Sequence, residues 1–287
     1  MRFVLRRGML SSRLLSMEHI TPKKSLGQNF LVDRNIAAKI VREFAPGPGD
    51  LVVEIGPGEG ALTGLLAASP AHVVAIELDH RAVERLRADP GERIEVIEAD
   101  LLTFDLERLA AERKVERLRV IGNIPYYITS PILFHLINAR RAISDAMLMM
   151  QKEVAVRLVA PPRTKEYGIL AVMAQTYTRV RRLFDVGPRA FHPSPRVTSS
   201  VVRFVFADIE AIAGIESAHR AIVRAAFSQR RKTLRNSLRS LIPDESERAR
   251  ILIQATVRDS ARAEELSPED FVRLAGVYAA AIESDRR

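Results

Sequence analysis

The 287-residue chain contains no cysteine. That excludes disulfides, thiolate metal sites and cysteine nucleophiles, and the chain needs no oxidising compartment. No uninterrupted apolar stretch is long enough to span a bilayer, so a soluble, cytoplasmic protein with no membrane role is expected. The six histidines are scattered without ligand spacing, and no metal is expected. Acids are outnumbered, with 35 Asp and Glu against 44 Lys and Arg, a formal charge of +9. That balance favours a polyanionic partner without identifying one. Acids are missing entirely from the Arg- and Ser-containing start before Glu18. The start reads as a disordered basic leader over residues 1–20, or as an upstream start ahead of Met17. A transit peptide shares the composition, whereas the apolar runs are too interrupted for a secretory signal.

What is present is enough apolar material, 47% of residues, for one large core and a smaller satellite. Apolar residues recur at helical spacing from Asp33 to Phe44, with Asp33 as N-cap and Pro46-Gly47-Pro48-Gly49 as a stop. Short apolar runs at Leu51–Ile55, His72–Ile76, Ile94–Ile97, Leu118–Ile121 and Ala146–Met150 read as strands. Helical patterns at Ala61–Ala68, His80–Ala88 and Leu106–Arg113 lie between the first four. Such alternation predicts a mainly parallel sheet covered on both faces. Arg182–Val186 and Ser199–Phe206 predict strands joined through the turn Phe191-His192-Pro193-Ser194-Pro195, adding an antiparallel edge. Beyond Ala207 only helical patterns remain, so a small helical domain over 208–287 is expected, the boundary falling near Asp208–Gly214.

Three strand ends carry chemistry. Glu54-Ile55-Gly56-Pro57-Gly58-Glu59-Gly60 joins the first of these strands to a helix, and its glycines let backbone approach a ligand closely. NAD, FAD and S-adenosylmethionine proteins all use such a turn, but the spacing here is G-x-G-x-G and not the dinucleotide G-x-G-x-x-G. Glu77 ends the next strand, where a carboxylate can accept from ribose hydroxyls. Asp100 follows the strand after it, placed to accept from an adenine amine or to cap the next helix. Gly122-Asn123-Ile124-Pro125-Tyr126-Tyr127 then combines an amide, a rigid turn and aromatic faces, a set suited to a flat base with an exocyclic amine. A plain strand-ending turn would use the same residues as punctuation.

These motifs, with Lys24-Ser25-Leu26-Gly27-Gln28-Asn29-Phe30-Leu31, Gln151-Lys152-Glu153-Val154, Phe191 to Val197 and Phe227-Ser228-Gln229-Arg230-Arg231-Lys232-Thr233, are similar to those of the bacterial small-subunit ribosomal RNA adenine dimethyltransferases. The resemblance runs from about Lys23 to the last helix. It implies an α/β, Rossmann-like S-adenosylmethionine-dependent methyltransferase domain over 21–207 and a small C-terminal α-helical, RNA-contacting domain. It further implies dimethylation of two adjacent adenosines near the 3′ end of 16S rRNA, by a monomer, with a role in subunit biogenesis. By resemblance Asn29, Leu31, Gly56, Glu77, Asp100 and Asn123 bind the cofactor and Phe191 covers one face of the base; the Asn123 side-chain oxygen and the Ile124 or Pro125 carbonyl are expected to accept from the amine, and Tyr126 to stack on the other face of the base. Tyr127 departs from the Asn usual at that place in the family.

Between Arg220 and Ser240 stand seven basic residues and no acid. Arg230, Arg231, Lys232 and Arg235 are expected to grip rRNA phosphates. Methylation of large-subunit rRNA, as in macrolide-resistance relatives, is the near alternative. A non-catalytic RNA-binding or assembly factor is the alternative of another class, and an NAD-dependent oxidoreductase stands further off.

Overall fold

The computed structural model describes residues 20–23, 27–89, 91–207, 210–229 and 231–285. The leader up to residue 19, Lys24 to Leu26 and Arg230 lie outside the described residues.

The chain enters through a two-residue strand β1 (Phe30–Leu31) and turns at once into α1 (Arg34–Phe44). The Asp33 side chain starts this helix by accepting from the Asn35 and Ile36 N–H groups, which have no partner inside the helix. Ala37, Ile40 and Phe44 recur along one face and are buried.

Next come β2 (Leu51–Ile55), α2 (Thr63–Ala67), β3 (His72–Glu77), α3 (His80–Arg87), β4 (Ile94–Glu98), α4 (Leu106–Glu112), β5 (Leu118–Asn123), α5 (Thr129–Asn138) and β6 (Ile143–Gln151). All five residues of β2 are buried, the mark of a strand covered on both faces. After α6 (Lys152–Leu158) and α7 (Ile169–Tyr177), β7 (Thr178–Val186), the short β8 (Phe191–His192) and β9 (Ser199–Phe206) complete the strands. The main sheet has the order β4-β3-β2-β5-β6-β9-β7. Pairing is parallel from β4 through β6, and β9 joins β6 antiparallel. The parallel core and antiparallel addition follow the sequence expectation. The Phe191-His192 stretch does more than turn: it pairs with β1 as a separate two-stranded ribbon.

At the start of β5, Arg119 ties neighbouring elements together. Its guanidinium donates to Asp145 on β6, to Asp50 and to the Phe44 carbonyl at the end of α1. Such bidentate, charge-assisted bonds set register as well as adding strength.

The chain divides into two compact units, residues 1–152 with 182–205, and residues 153–181 with 206–287. A single cut at 207/208 therefore misses a crossing, because α6 and α7 belong with the C-terminal helices. The reason lies in α7, whose Ala171, Val172, Met173, Ala174 and Tyr177 are all buried. The second unit adds α8 (Glu216–Phe227), α9 (Leu234–Ser237), α10 (Glu245–Gln254) and α11 (Pro268–Asp285). Inside it Phe227 meets Tyr167 edge-on and stacks with Phe271, their centroids 6.1 and 5.7 Å apart. The Tyr167 hydroxyl donates to the Leu266 carbonyl, so its polar end is satisfied within the core.

One close approach sets the spacing of β2 and β5. Gly122 lies opposite Ile55, and a Cβ there would stand 2.6 Å from the Ile55 carbonyl oxygen. Gly122→Ala is expected to lower unfolding free energy by about 1–3 kcal/mol, as overpacking does. Urea denaturation checks this; an unchanged midpoint would show that the strands yield freely.

Candidate active site

Open parallel sheets present their strand carboxyl ends to ligands where the strand order reverses. Here β2 lies between β3 and β5, and the segments leaving all three converge on one cavity. Asn29, Leu31, Gly56, Glu77, Asp100 and Asn123 line it, as do Pro125 and Tyr126. The residues singled out for a cofactor are thus brought together, although they come from five separate stretches of chain.

Gly56 has φ +61°, a conformation that disfavours side chains, and an added Cβ would meet nothing within 4 Å. The turn therefore leaves open space beside the backbone. Glu77 secures the same turn from the next strand. Its carboxylate accepts from the Gly58 N–H at 3.0 Å and from the Leu78 and Asp79 N–H groups, both at 2.9 Å. A carboxylate has about four acceptor positions, so roughly one remains for a ligand hydroxyl. Burial raises the Glu77 carboxyl above its ordinary range, and the three N–H groups hold it down in part.

Glu54, on the buried strand itself, was not singled out in the sequence. It is 1% exposed, lines the cavity and has one carboxylate oxygen without a partner. Burial pushes its carboxyl up to about 8, and the neighbouring Glu77 adds to the effect. The available signal was a lone acid inside the apolar run Leu51 to Ile55, since acids are almost never buried without a partner.

Asn123 is the last residue of β5. Its side-chain Nδ2 donates to the Asn29 carbonyl at 2.9 Å. That bond fixes which end of the amide is the donor and leaves the side-chain oxygen as an acceptor at the cavity. In the following turn the Pro125 carbonyl accepts from the Ile128 N–H at 3.3 Å. Among the described residues the Ile124 carbonyl takes no such bond, which leaves it open as an acceptor. The Tyr126 hydroxyl pairs with the buried Ser199 Oγ at 2.6 Å, which anchors the ring beside the amide. Tyr127, 58% exposed, also lines the cavity and lies against Gly27.

Other expected residues stand differently. Asp100 is exposed and its Oδ1 caps a short 3₁₀ turn at the Leu102 N–H, which leaves Oδ2 for a ligand. Phe191, expected over the base, is 4% exposed and packs in the core with Leu31, Phe44 and Met149; it does not line the cavity. Its place in the β1–β8 ribbon turns the ring inward. Arg235 is half-exposed and forms ion pairs with Glu245 and Asp259. Arg231 and Lys232 are exposed, and Arg230 lies outside the described residues. Among the described residues no group of three or more His, Asp or Glu could hold a metal ion, and no helix is long and apolar enough to cross a membrane.

The family model for ribosomal RNA adenine dimethylase matches residues 20–280. The chain belongs to the ribosomal RNA adenine dimethylase family. Its relatives include "Ribosomal RNA small subunit methyltransferase A" of Methylococcus capsulatus, 46% identical over 90% of this chain and 98% of that protein. The protein of that name in Chlorobium luteolum is 52% identical over 77% of this chain and 79% of its own. Among solved structures, the 23S rRNA methyltransferase ErmE superposes with a TM-score of 0.61 at 29% identity, covering 87% of this chain and 99% of that one. A dimethyladenosine transferase from Plasmodium falciparum has a TM-score of 0.72 at 24% identity, over 85% of this chain and 95% of that one. This dimethylase therefore has the Rossmann-like methyltransferase fold with a helical C-terminal region.

Burial of Glu54 is expected to make the stability of the dimethylase depend on pH. The folded pKa of Glu54 is raised, so its contribution to stability is complete below about pH 4.5 and is lost as pH climbs through about 8. Between pH 5 and 8 the wild type should lose stability more steeply than Glu54→Gln in denaturation series. Parallel slopes would show that Glu54 ionises freely.

Proposed function

We propose that the protein uses S-adenosylmethionine to dimethylate the N6 amines of two adjacent adenosines near the 3′ end of 16S rRNA, in the small ribosomal subunit or its precursor. The observation that carries the reading is the Asn123 amide, held by the Asn29 carbonyl with its oxygen free at the cavity. The residues fit the cofactor. Gly56 leaves room for the methionine part, Glu77 has an acceptor position for the ribose, Asp100 has a free oxygen for the adenine amine, and the unpartnered Glu54 oxygen suits a cationic ligand. Once bound, the cofactor supplies an electrophilic sulfonium methyl.

The amine of adenine is a poor nucleophile because its lone pair is delocalised into the ring. Accepting its two N–H bonds at the Asn123 side-chain oxygen and the Ile124 carbonyl favours a pyramidal nitrogen and aims its lone pair. Both acceptors are preorganised, so little reorganisation is needed as charge develops. The adenosine must first leave its stack, at a few kcal/mol. Tyr126, its ring steadied through Ser199, offers a stacking face worth roughly 1–3 kcal/mol. Phe191 supports the site from the core beneath. In the second round one N–H remains, so one acceptor is then dispensable.

Relatives named for the small subunit match at 44–52% identity, against 29% for the large-subunit enzyme ErmE, which favours the small-subunit substrate. Action as a monomer in the cytoplasm is part of the same proposal. Arg231 and Lys232 in the second unit are proposed to grip phosphates, together with Arg230. A role in subunit biogenesis can accompany the chemistry, since binding to a folded particle is needed for either.

Mass spectrometry of undermethylated 30S and of 50S particles incubated with the protein and S-adenosylmethionine tests the reading. Dimethyladenosine should appear in 30S only. Its appearance in 50S would point to the resistance-type substrate, and binding to 30S without methylation would point to an assembly factor. Asn123→Ala should abolish methylation while cofactor affinity stays within a few-fold; normal methylation would end the role given to Asn123. Replacing Arg231 and Lys232 by Ala should flatten the salt dependence of RNA binding by about one slope unit per residue. An unchanged slope would remove the patch from the interface.

A further inference from the structure

Asp79 has no place in the chemistry above, yet its side chain is fully buried and carries more bonds than a helix cap requires. It precedes α3 and caps it by accepting from the Arg81 N–H at 3.3 Å. It also accepts from the Arg81 guanidinium at 3.0 and 2.6 Å, from Gln28 Nε2 at 2.9 Å and from Lys23 Nζ at 3.3 Å. Its side chain has 0% exposure, while those of Lys23 and Arg81 remain 48% and 38% exposed. The Arg81 guanidinium, with Gln28 and Lys23, holds the Asp79 carboxyl far below the usual carboxylate range. A helix cap alone calls for none of this, since an uncharged Asn caps equally well.

The bonds lead to the catalytic amide. Gln28 immediately precedes Asn29, and the Asn29 carbonyl is the partner of Asn123 Nδ2. Gln28 is held at both ends of its side chain: its Nε2 donates to Asp79, and its Oε1 accepts from the Lys23 N–H at 2.8 Å. Arg81 reaches past Asp79 to donate to the Thr21 carbonyl at 3.0 Å. Two neighbouring stretches, 20–23 and 27–29, are thereby tied to one buried carboxylate. The alignment of a methyl acceptor is sensitive to shifts of an ångström or less.

We propose that Asp79 is a positioning residue for methyl transfer, acting through Gln28 and the Asn29 carbonyl to hold the Asn123 amide in its catalytic orientation. The proposal rests on the reading of Asn123 as an amine acceptor. Asp79 does not line the cavity. It does fix the one backbone carbonyl that decides which atom of Asn123 points at the cavity.

The test uses the full chain, 30S particles and S-adenosylmethionine, with kcat expressed per cofactor-binding site so that unfolded protein is not counted. Asp79→Asn keeps the helix cap but sets an amide N–H against the Gln28 N–H donors. Gln28→Leu removes the tie without touching the cap. Both should lower kcat by about 10- to 100-fold, with KM for 30S within a few-fold of wild type. Adding Gln28→Glu to Asp79→Asn supplies an acceptor for that amide N–H and should recover most of the lost kcat. If Gln28→Leu keeps wild-type kcat, or if Asp79→Asn lowers thermal stability alone, Asp79 is only a cap and the proposal fails. Asn123→Ala run alongside separates the two readings. An active Asn123→Ala overturns the acceptor role itself, whereas an inactive one beside an active Gln28→Leu overturns only the part given to Asp79.

Discussion

The parallel pairing of β2 with β5 is the constraint on which the rest of the site depends. Ile55 lies opposite Gly122, so the glycine turn leaving one strand and the Asn123 turn leaving the other start side by side. Only a residue without a side chain fits at Gly122, where the Ile55 carbonyl comes within 2.6 Å of where a Cβ would stand. The Gly56 turn and the Asn123 turn therefore share one edge, and their spacing follows from the backbone and not from flexible side chains. Reactions that depend on alignment benefit from sites built on rigid elements in this way.

Three acids stand in or beside the cavity wall, and each is handled by different physics. Glu77 is held by three backbone N–H groups, Asp79 by the cations of Arg81 and Lys23, and Glu54 keeps an oxygen with no partner. The carboxyls move accordingly: Asp79 falls, Glu77 rises against its N–H partners, and Glu54 rises to about 8. Groups whose surroundings drive their pKa values apart tend to have separate tasks. Here Glu77 and Asp79 hold backbone, and Glu54, bonded to Thr63, keeps one buried oxygen without a partner.

Much of the first unit was legible in the residues. β2, β3, β4 and β5 lie within about two residues of the apolar runs that announce them, and Asp33 caps α1 as its position before a helical pattern implies. The glycine turn, Glu77, Asp100 and Asn123 fall at strand ends because hydrophobic strands must stop where polar function begins. Less legible was the division of the chain. Segment 153–181 joins the C-terminal helices through packing of α7, and no local pattern records which distant core a helix will complete. Phe191 and Arg235 were named from motif and charge alone. Burial of Phe191 in the core cluster with Leu31, and the ion pairs of Arg235 with Glu245 and Asp259, are contacts that neither signal records.

The sequence by itself determined the fold class, the polyanionic preference and the list of residues that could serve an adenosine-bearing cofactor and a base. Periodicity, turn chemistry and charge act over a few residues and can be read locally. Tertiary structure decided which atoms of those residues remain available. Asn29 and Asn123 are 94 positions apart, Gln28 and Asp79 are 51, and both contacts exist only because the segment before β1 folds against the ends of β5 and β3. Hydrogen-bond partnership across such distances depends on the register of the whole sheet, and this is why the orientation of a single amide could not be read from the chain that encodes it.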